Sequence, residues 1–370
     1  MTKGRIVAAV AAALVGSGMT ATPARAQMGQ ITGIKQRGGQ ILTTGKKVVN
    51  DWKFTEAEER QLGADVSAKL REKYGVVQNA AVHRYVTLVG SVLARRSERP
   101  TLRWTFIVLD TDGVNAFAAP GGFVHITRGA LSLLKSEAEL AGVLGHEIGH
   151  ITAKHTLTAV QINKTAGAIT SATRLEFLNQ VADRVYAATL ENTFSRGDES
   201  EADEAGIVVA NKAGYTPTGL GGFLTTLSDR NKGLKERSGM FASHPEIKDR
   251  LEDMAEIIED EALKSTATVA PRYRTSIAYR PVPIEDIPQV APPSRQTAKA
   301  EEPKSGGKGF LGLGGRNPLA REKSSSSTIA STGSRGVNPD RDAKGGPNKS
   351  VVVVNVSTAE INAFAKGIVA

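Results

Sequence analysis

Residues 146–150 read His-Glu-Ile-Gly-His, and this string constrains the chain to be helical where it occurs. On an α-helix, positions i and i+4 lie on one face about a turn apart, so His146 and His150 can present two imidazoles to one Zn²⁺. Glu147 is rotated by roughly 100° about the axis, where its carboxylate can reach a water at that ion without ligating it. Zinc hydrolysis needs nitrogen donors, an open position and a base, and this spacing supplies all three. The context is helical too. Ser136 followed by Glu139 is a capping box, and Leu140, Val143, Leu144, Ile148 and Ile151 form an apolar stripe at helical spacing. Gly145 and Gly149 are poor helix formers, so their presence predicts close packing beside the motif.

The third ligand decides the kind of site. A metzincin continuation needs Gly at 153 and His at 156, but the chain has Ala153 and Thr156. His155 is not a substitute, since five residues past His150 places it about 140° away on the helix. Cysteine is absent, which excludes thiolate ligands and disulfides. The better candidate is Ser195–Asp203, where Asp198 and Glu201 read as a helix start, and Glu199 and Asp203 share a face at i and i+4. One of these carboxylates can ligate zinc while the other orients a ligand histidine.

Upstream, Leu102–Leu109 and Phe123–Thr127 read as strands, with turn chemistry at Pro120-Gly121-Gly122. The expectation is a small antiparallel unit leading into the motif helix. In zincin-like sites an edge strand beside the metal can accept substrate as one more extended strand.

Four motifs in order, Asn115-Ala116-Phe117-Ala118-Ala119-Pro120-Gly121-Gly122, His146–His150, Ser195-Arg196 with Glu199-x-x-Ala202-Asp203, and His244-Pro245, give the chain a resemblance to a known family. It resembles the zinc metallopeptidases that include HtpX and the CAAX prenyl endopeptidases, and most of all their soluble periplasmic relatives, over roughly Thr55 to Asp260. The resemblance implies zinc held by His146, His150 and Glu199, with Glu147 as general base and Asp203 behind the ligands. It places His244 near the metal, where it either stabilises the oxyanion or fills the open position in a latent state. A plain reading of His244 is a residue before a helix that starts with Pro245. Asn115, Ala116, Phe117 and Ala118 are implied as the substrate-binding strand. The implied work is quality control of envelope or outer-membrane proteins, with unfolded or misassembled polypeptides as substrates.

Composition sets the rest. Met1–Ala26 has Lys3 and Arg5, an apolar run from Ile6 to Val15 and Ala24-Arg25-Ala26, the pattern of a cleaved secretory signal, too short to span a bilayer. The expected location is the periplasm, soluble or peripherally membrane-associated. Residues 27–54 read as a loose arm and 55–263 as one α+β, mostly helical, zincin-like catalytic domain with a small sheet. Residues 264–349 are rich in Pro, Gly, Ser and basic side chains and read as a largely disordered linker. Residues 350–370 regain pattern: Val351–Val356 as a strand, then a helix capped by Ser357 and Glu360 that docks back on the domain or binds a partner.

Of the net charge of +9, residues 264–370 carry 16 basic and 8 acidic side chains and the first 26 residues carry three basic ones, leaving the body slightly acidic. The basic tail could contact anionic lipid or cell wall, and export argues against nucleic acid. The alternative to a zinc endopeptidase is a chaperone-like or scaffolding factor in envelope assembly. No tetratricopeptide repeat follows the domain to provide an adaptor surface.

Overall fold

A computed structural model describes residues 54–162, 174–191, 194–232, 247–287 and 348–369, all within one compact unit, Thr43–Ala370. The signal and nearly all of the arm, residues 288–347 of the expected linker, and His244-Pro245 lie outside the described residues.

The chain opens with helices α1 (Glu56–Tyr74) and α2 (Ala80–Ala94), followed by strands β1 (Thr105–Leu109), β2 (Ala116–Ala119) and β3 (Phe123–Thr127). Thr55 and Glu58 form the capping box of α1, and Asn79 caps α2 through the Ala81 and Val82 amides. The sheet order is β1-β3-β2, with β1 parallel to β3 and β2 antiparallel to it. This corrects the expected antiparallel pairing of the two longer strands. The short segment Ala116–Ala119 is itself a strand, returned by a turn at Gly121 (φ +68°) and Gly122 (φ +89°) that only glycine adopts readily. Alanine is depleted in strands, so composition alone does not show this one, which only the family resemblance implied.

Period-two alternation sends the two faces of the sheet into two cores. Phe106, Val108, Ala116, Ala118, Val124 and Ile126 face one cluster with α2, while Ile107, Leu109, Phe117, Ala119 and Phe123 face the other with α1. On the α1 face His125 is fully buried, its Nε2 2.9 Å from Ser67 Oγ. Burial pushes its pKa down to about 3. The unfolded chain therefore takes up this proton first as pH falls from the ordinary value of 6.5, and stability is lost between 6.5 and 3. Two pH units into that window correspond to about 3 kcal/mol. Urea unfolding at pH 7 and pH 4.5 is expected to show a shallower acid dependence for His125→Gln; an unchanged slope would exclude the assignment.

After β3 come α3 (Arg128–Leu133), α4 (Glu137–Ala153), α5 (His155–Ile162), α6 (Arg174–Glu191), α7 (Arg196–Ala213), α8 (Gly219–Arg230), α9 (Ile247–Asp260), α10 (Ala270–Ser276) and α11 (Thr358–Lys366). The motif helix α4 is capped by Ser136 as expected and buried along nearly its whole length. Its apolar stripe of Leu140, Val143, Leu144, Ile148 and Ile151 contributes about 1.5–3 kcal/mol per side chain. Lys154 in left-handed conformation (φ +62°) ends the helix. Buried Glu59 of α1 fixes that end. It accepts from Arg99 Nη1 at 2.7 Å and from the Gly121 amide at 3.3 Å, and lies 3.2 Å from Lys154 Nζ. Burial raises the Glu59 pKa, but the Arg99 and Lys154 charges outweigh it and hold the carboxyl below its usual range. One carboxylate thus joins α1, the β2–β3 turn and the C-terminal end of α4.

Residues 264–287 are ordered against the domain, unlike the linker expected there. Thr216 N donates to Ala267 O, Ala138 N to Thr268 O, and buried Tyr273 donates its hydroxyl to Leu131 O at 2.6 Å. The C-terminal segment also lies on the domain. Val76 N donates to Asn348 O, Arg84 to Asn355 O, and Ile361 and Ile368 of the last turns are buried. Its helix has the expected Ser357–Glu360 capping box, whereas the strand expected at Val351–Val356 is not formed. No helix among the described residues is long and apolar enough to cross a membrane.

Candidate active site

Helix α7 begins one turn before the expected start, because Ser195 takes the N-cap and Asp198 completes the capping box. It packs more extensively against α4 than any other element does. The contact is made by small residues. A Cβ on Gly145 would stand 2.8 Å from Gly206 O, and one on Gly206 would stand 2.7 Å from His146 N. Such backbone approach is open only to glycine, and it brings Glu199 and Asp203 against the histidines of α4.

His146 Nε2 and His150 Nε2 face each other at 3.0 Å, with Glu199 Oε2 3.7 Å from the first and Glu199 Oε1 3.5 Å from the second. A tetrahedral zinc with ordinary N and O ligand distances has edges of about 3.3 Å between ligand atoms. The three distances, which reach Glu199 through its two oxygens, bracket that value, and all three side chains are buried. The donor set, two imidazoles and a carboxylate, leaves one tetrahedral position open and suits zinc. These residues fit the ion.

The shell behind them is charged. His146 Nδ1 lies 2.8 Å from Asp203 Oδ1, which assigns its proton to Nδ1 and its free lone pair to Nε2. Asp203 accepts two hydrogen bonds from the buried Arg250 of α9, from Nε at 2.7 Å and Nη2 at 2.6 Å. Arg250 Nη1 also lies 3.1 Å from Glu199 Oε2. Burial works against the Asp203 carboxylate, but the Arg250 guanidinium and His146 hold its pKa down at about 2. Burial likewise opposes the Arg250 charge, and Asp203, Glu199 and then Glu147 more than restore it. Phe194 stacks on the His150 ring, centroids 4.2 Å apart. Glu147, 1% exposed, follows His146 on α4.

Arg250 was not among the residues singled out from the sequence. Its signal was its place on an apolar stripe, between Ile247 and Met254, where a lone arginine is out of character. His244 lies outside the described residues. The strand candidates are close to the motif helix, with β2 at the edge of the sheet and in contact with α4. Ala116, Phe117 and Ala118 are buried, and the Ala118 carbonyl accepts from Thr156 Oγ1 at 3.3 Å. Asn115 holds the hairpin, its carbonyl accepting from Thr127 N and its amide donating to Thr127 Oγ1, both at 3.0 Å.

Residues 80–258 match the model of Peptidase family M48. Among curated proteins, the chain is similar to the β-barrel assembly-enhancing protease of Yersinia pestis, 26% identical over 53% of this chain and 43% of that protein. It is 28% identical to the mitochondrial metalloendopeptidase OMA1 of Schizosaccharomyces pombe, over 56% of this chain and 63% of the relative. It is 30% identical to the metalloprotease YcaL of Escherichia coli K12, over 40% of this chain and 59% of the relative. The matched part spans less than two thirds of each of these relatives. Family model and ligand triangle coincide on the same stretch: residues 80–258 are a Peptidase family M48 domain, a zinc metallopeptidase domain.

Proposed function

We propose that the protein is a zinc-dependent endopeptidase of the periplasm that cleaves unfolded or misassembled envelope and outer-membrane polypeptides. The observation that carries the chemistry is the buried His146–His150–Glu199 triangle with Glu147 on the same helix. The names of the relatives, a β-barrel assembly-enhancing protease among them, support the envelope setting.

In this reading His146, His150 and Glu199 hold the metal. Zinc, when bound, supplies Lewis acidity, bringing the pKa of a water toward 7 and polarising the scissile carbonyl. Glu147 takes the proton from the attacking water and passes it to the leaving amide nitrogen. Asp203, itself fixed by Arg250, keeps His146 in the tautomer that offers Nε2. The β2 edge at Ala116–Ala118 binds substrate as an added extended strand, for which Thr156 must release the Ala118 carbonyl. Backbone pairing of this kind tolerates many sequences, which suits unfolded substrates. His244 acts beside the metal, on the oxyanion or as a latency device.

Metal analysis and hydrolysis of a casein-like unfolded protein test the reading together. Wild type is expected to contain zinc and to lose hydrolysis on chelation, and Glu199→Ala to lose both metal and activity. Hydrolysis that survives chelation and the Glu199→Ala change would refute it.

A further inference from the structure

The two ligand histidines are held from behind in different ways. His146 Nδ1 meets a carboxylate, Asp203. His150 Nδ1 meets another imidazole, Nδ1 of His155, at 2.9 Å. His155 is buried and opens α5 directly after Lys154, whose left-handed backbone turns the chain back toward the motif helix. Its far nitrogen, Nε2, faces Glu201 Oε2 at 3.4 Å and Asp198 Oδ1 at 3.6 Å, both on α7.

We propose that His155 is a positioning residue for the ligand His150, accepting a hydrogen bond from His150 Nδ1–H. The inference rests on the zinc reading above and deepens it. Two nitrogens 2.9 Å apart share one proton. A neutral imidazole carries a single N–H, and a His150 that ligates through Nε2 must carry it on Nδ1. The Nδ1 of His155 is then the acceptor, and its own proton sits on Nε2, pointed at the carboxylates of α7. Each nitrogen in the relay has one role and the proton count closes. The consequence is an orientation: the His150 ring cannot rotate without breaking this bond, so Nε2 stays aimed at His146 Nε2 and Glu199. Glu201 and Asp198 do for His155 what Arg250 does for Asp203. Both relays pass through α7, by Asp203 in one and by Asp198 and Glu201 in the other, so the helix that carries Glu199 also orients both histidines.

Two substitutions separate orientation from packing. His155→Leu fills much of the volume and accepts nothing. His155→Asn is smaller but places its amide oxygen near the position of Nδ1. The apoproteins are titrated with Zn²⁺ in competition with a chromophoric chelator, and their Co²⁺ derivatives are compared by visible absorption. His155→Leu is expected to bind zinc 10–100-fold more weakly and to shift the cobalt bands; His155→Asn is expected to recover most of the affinity and the wild-type bands. Urea unfolding of the apo forms reports packing separately. Unchanged affinity in His155→Leu, or His155→Asn no better than His155→Leu, would overturn the proposal while leaving the zinc reading intact. A wild type that takes up no zinc would overturn both.

Discussion

Glu147→Gln is expected to keep zinc and lose hydrolysis of unfolded protein by about 10²–10⁴-fold, the range for removing a positioned general base. The side chain is 1% exposed, so the isosteric amide fits the same space. It cannot take a proton from water, and it leaves the proposed ligands His146, His150 and Glu199 untouched. One opposing effect is the loss of a buried negative charge near Arg250. That effect is small by rank, since Asp203 and Glu199 stabilise the guanidinium more than Glu147 does. Metal content and unfolding midpoint are therefore expected to stay near wild type while kcat/KM falls. A variant that hydrolyses at the wild-type rate would remove Glu147 from the mechanism. The same protein decides between enzyme and scaffold: a scaffolding role survives Glu147→Gln in cells, and an endopeptidase role does not.

How much of this was legible depended on whether a residue's role was set by its own helix. The motif helix was legible because its cap, its apolar stripe and its metal face all repeat with one period. Glu199 and Asp203 were legible as a pair for the same reason, and Gly145 predicted a close approach whose partner, Gly206, only the fold supplies. Two features failed on local grounds. Asp198 reads as the helix start, but Ser195 three residues earlier takes the N-cap. The Ala116–Ala119 segment lacks β-branched residues, so the antiparallel partner of β3 was assigned to the wrong strand.

The misses at the site share a cause. His155 was set aside by an angle that holds only for an unbroken helix, but Lys154 ends α4 one residue earlier. Once the helix stops, the 140° argument lapses and the ring returns to the opposite nitrogen of His150. Arg250 comes from a different helix, and nothing within α9 indicates which acid it meets; that is fixed by α9 packing on α7. Residues 264–287 read as linker because their composition is polar, yet they are held by a few buried partners rather than by a stripe.

One of those partners gives the second large effect: Glu137→Ala is expected to destabilise the fold by about 3–5 kcal/mol, the range for removing one member of a buried ion pair, since the carboxylate itself is fully buried. Glu137, the first residue of α4, has no exposed surface. Its Oε2 accepts from Tyr85 at 2.7 Å and from Arg272 Nε at 2.7 Å, and its Oε1 from Tyr215 at 2.6 Å and from Arg272 Nη2. Burial and the Glu137 charge push both tyrosine pKa values up, so the hydroxyls remain donors. Removing the carboxylate leaves two buried hydroxyls and a guanidinium without it, and it removes an acid from the first turn of the motif helix, where the helix dipole favours one. It also frees Arg272, on which Phe364 of α11 stacks at 4.1 Å, so protease sensitivity within 264–287 and 348–369 is expected to rise together with the loss of stability seen by urea unfolding. Arg272→Ala is expected to cost less, because that side chain is 26% exposed and the two tyrosines still satisfy Glu137. A Glu137→Ala loss below about 1 kcal/mol, the scale of an exposed pair, would show that the network adds nothing beyond surface electrostatics. Equal losses in the two variants would mean that the guanidinium, not the carboxylate, anchors α10 to the head of the motif helix.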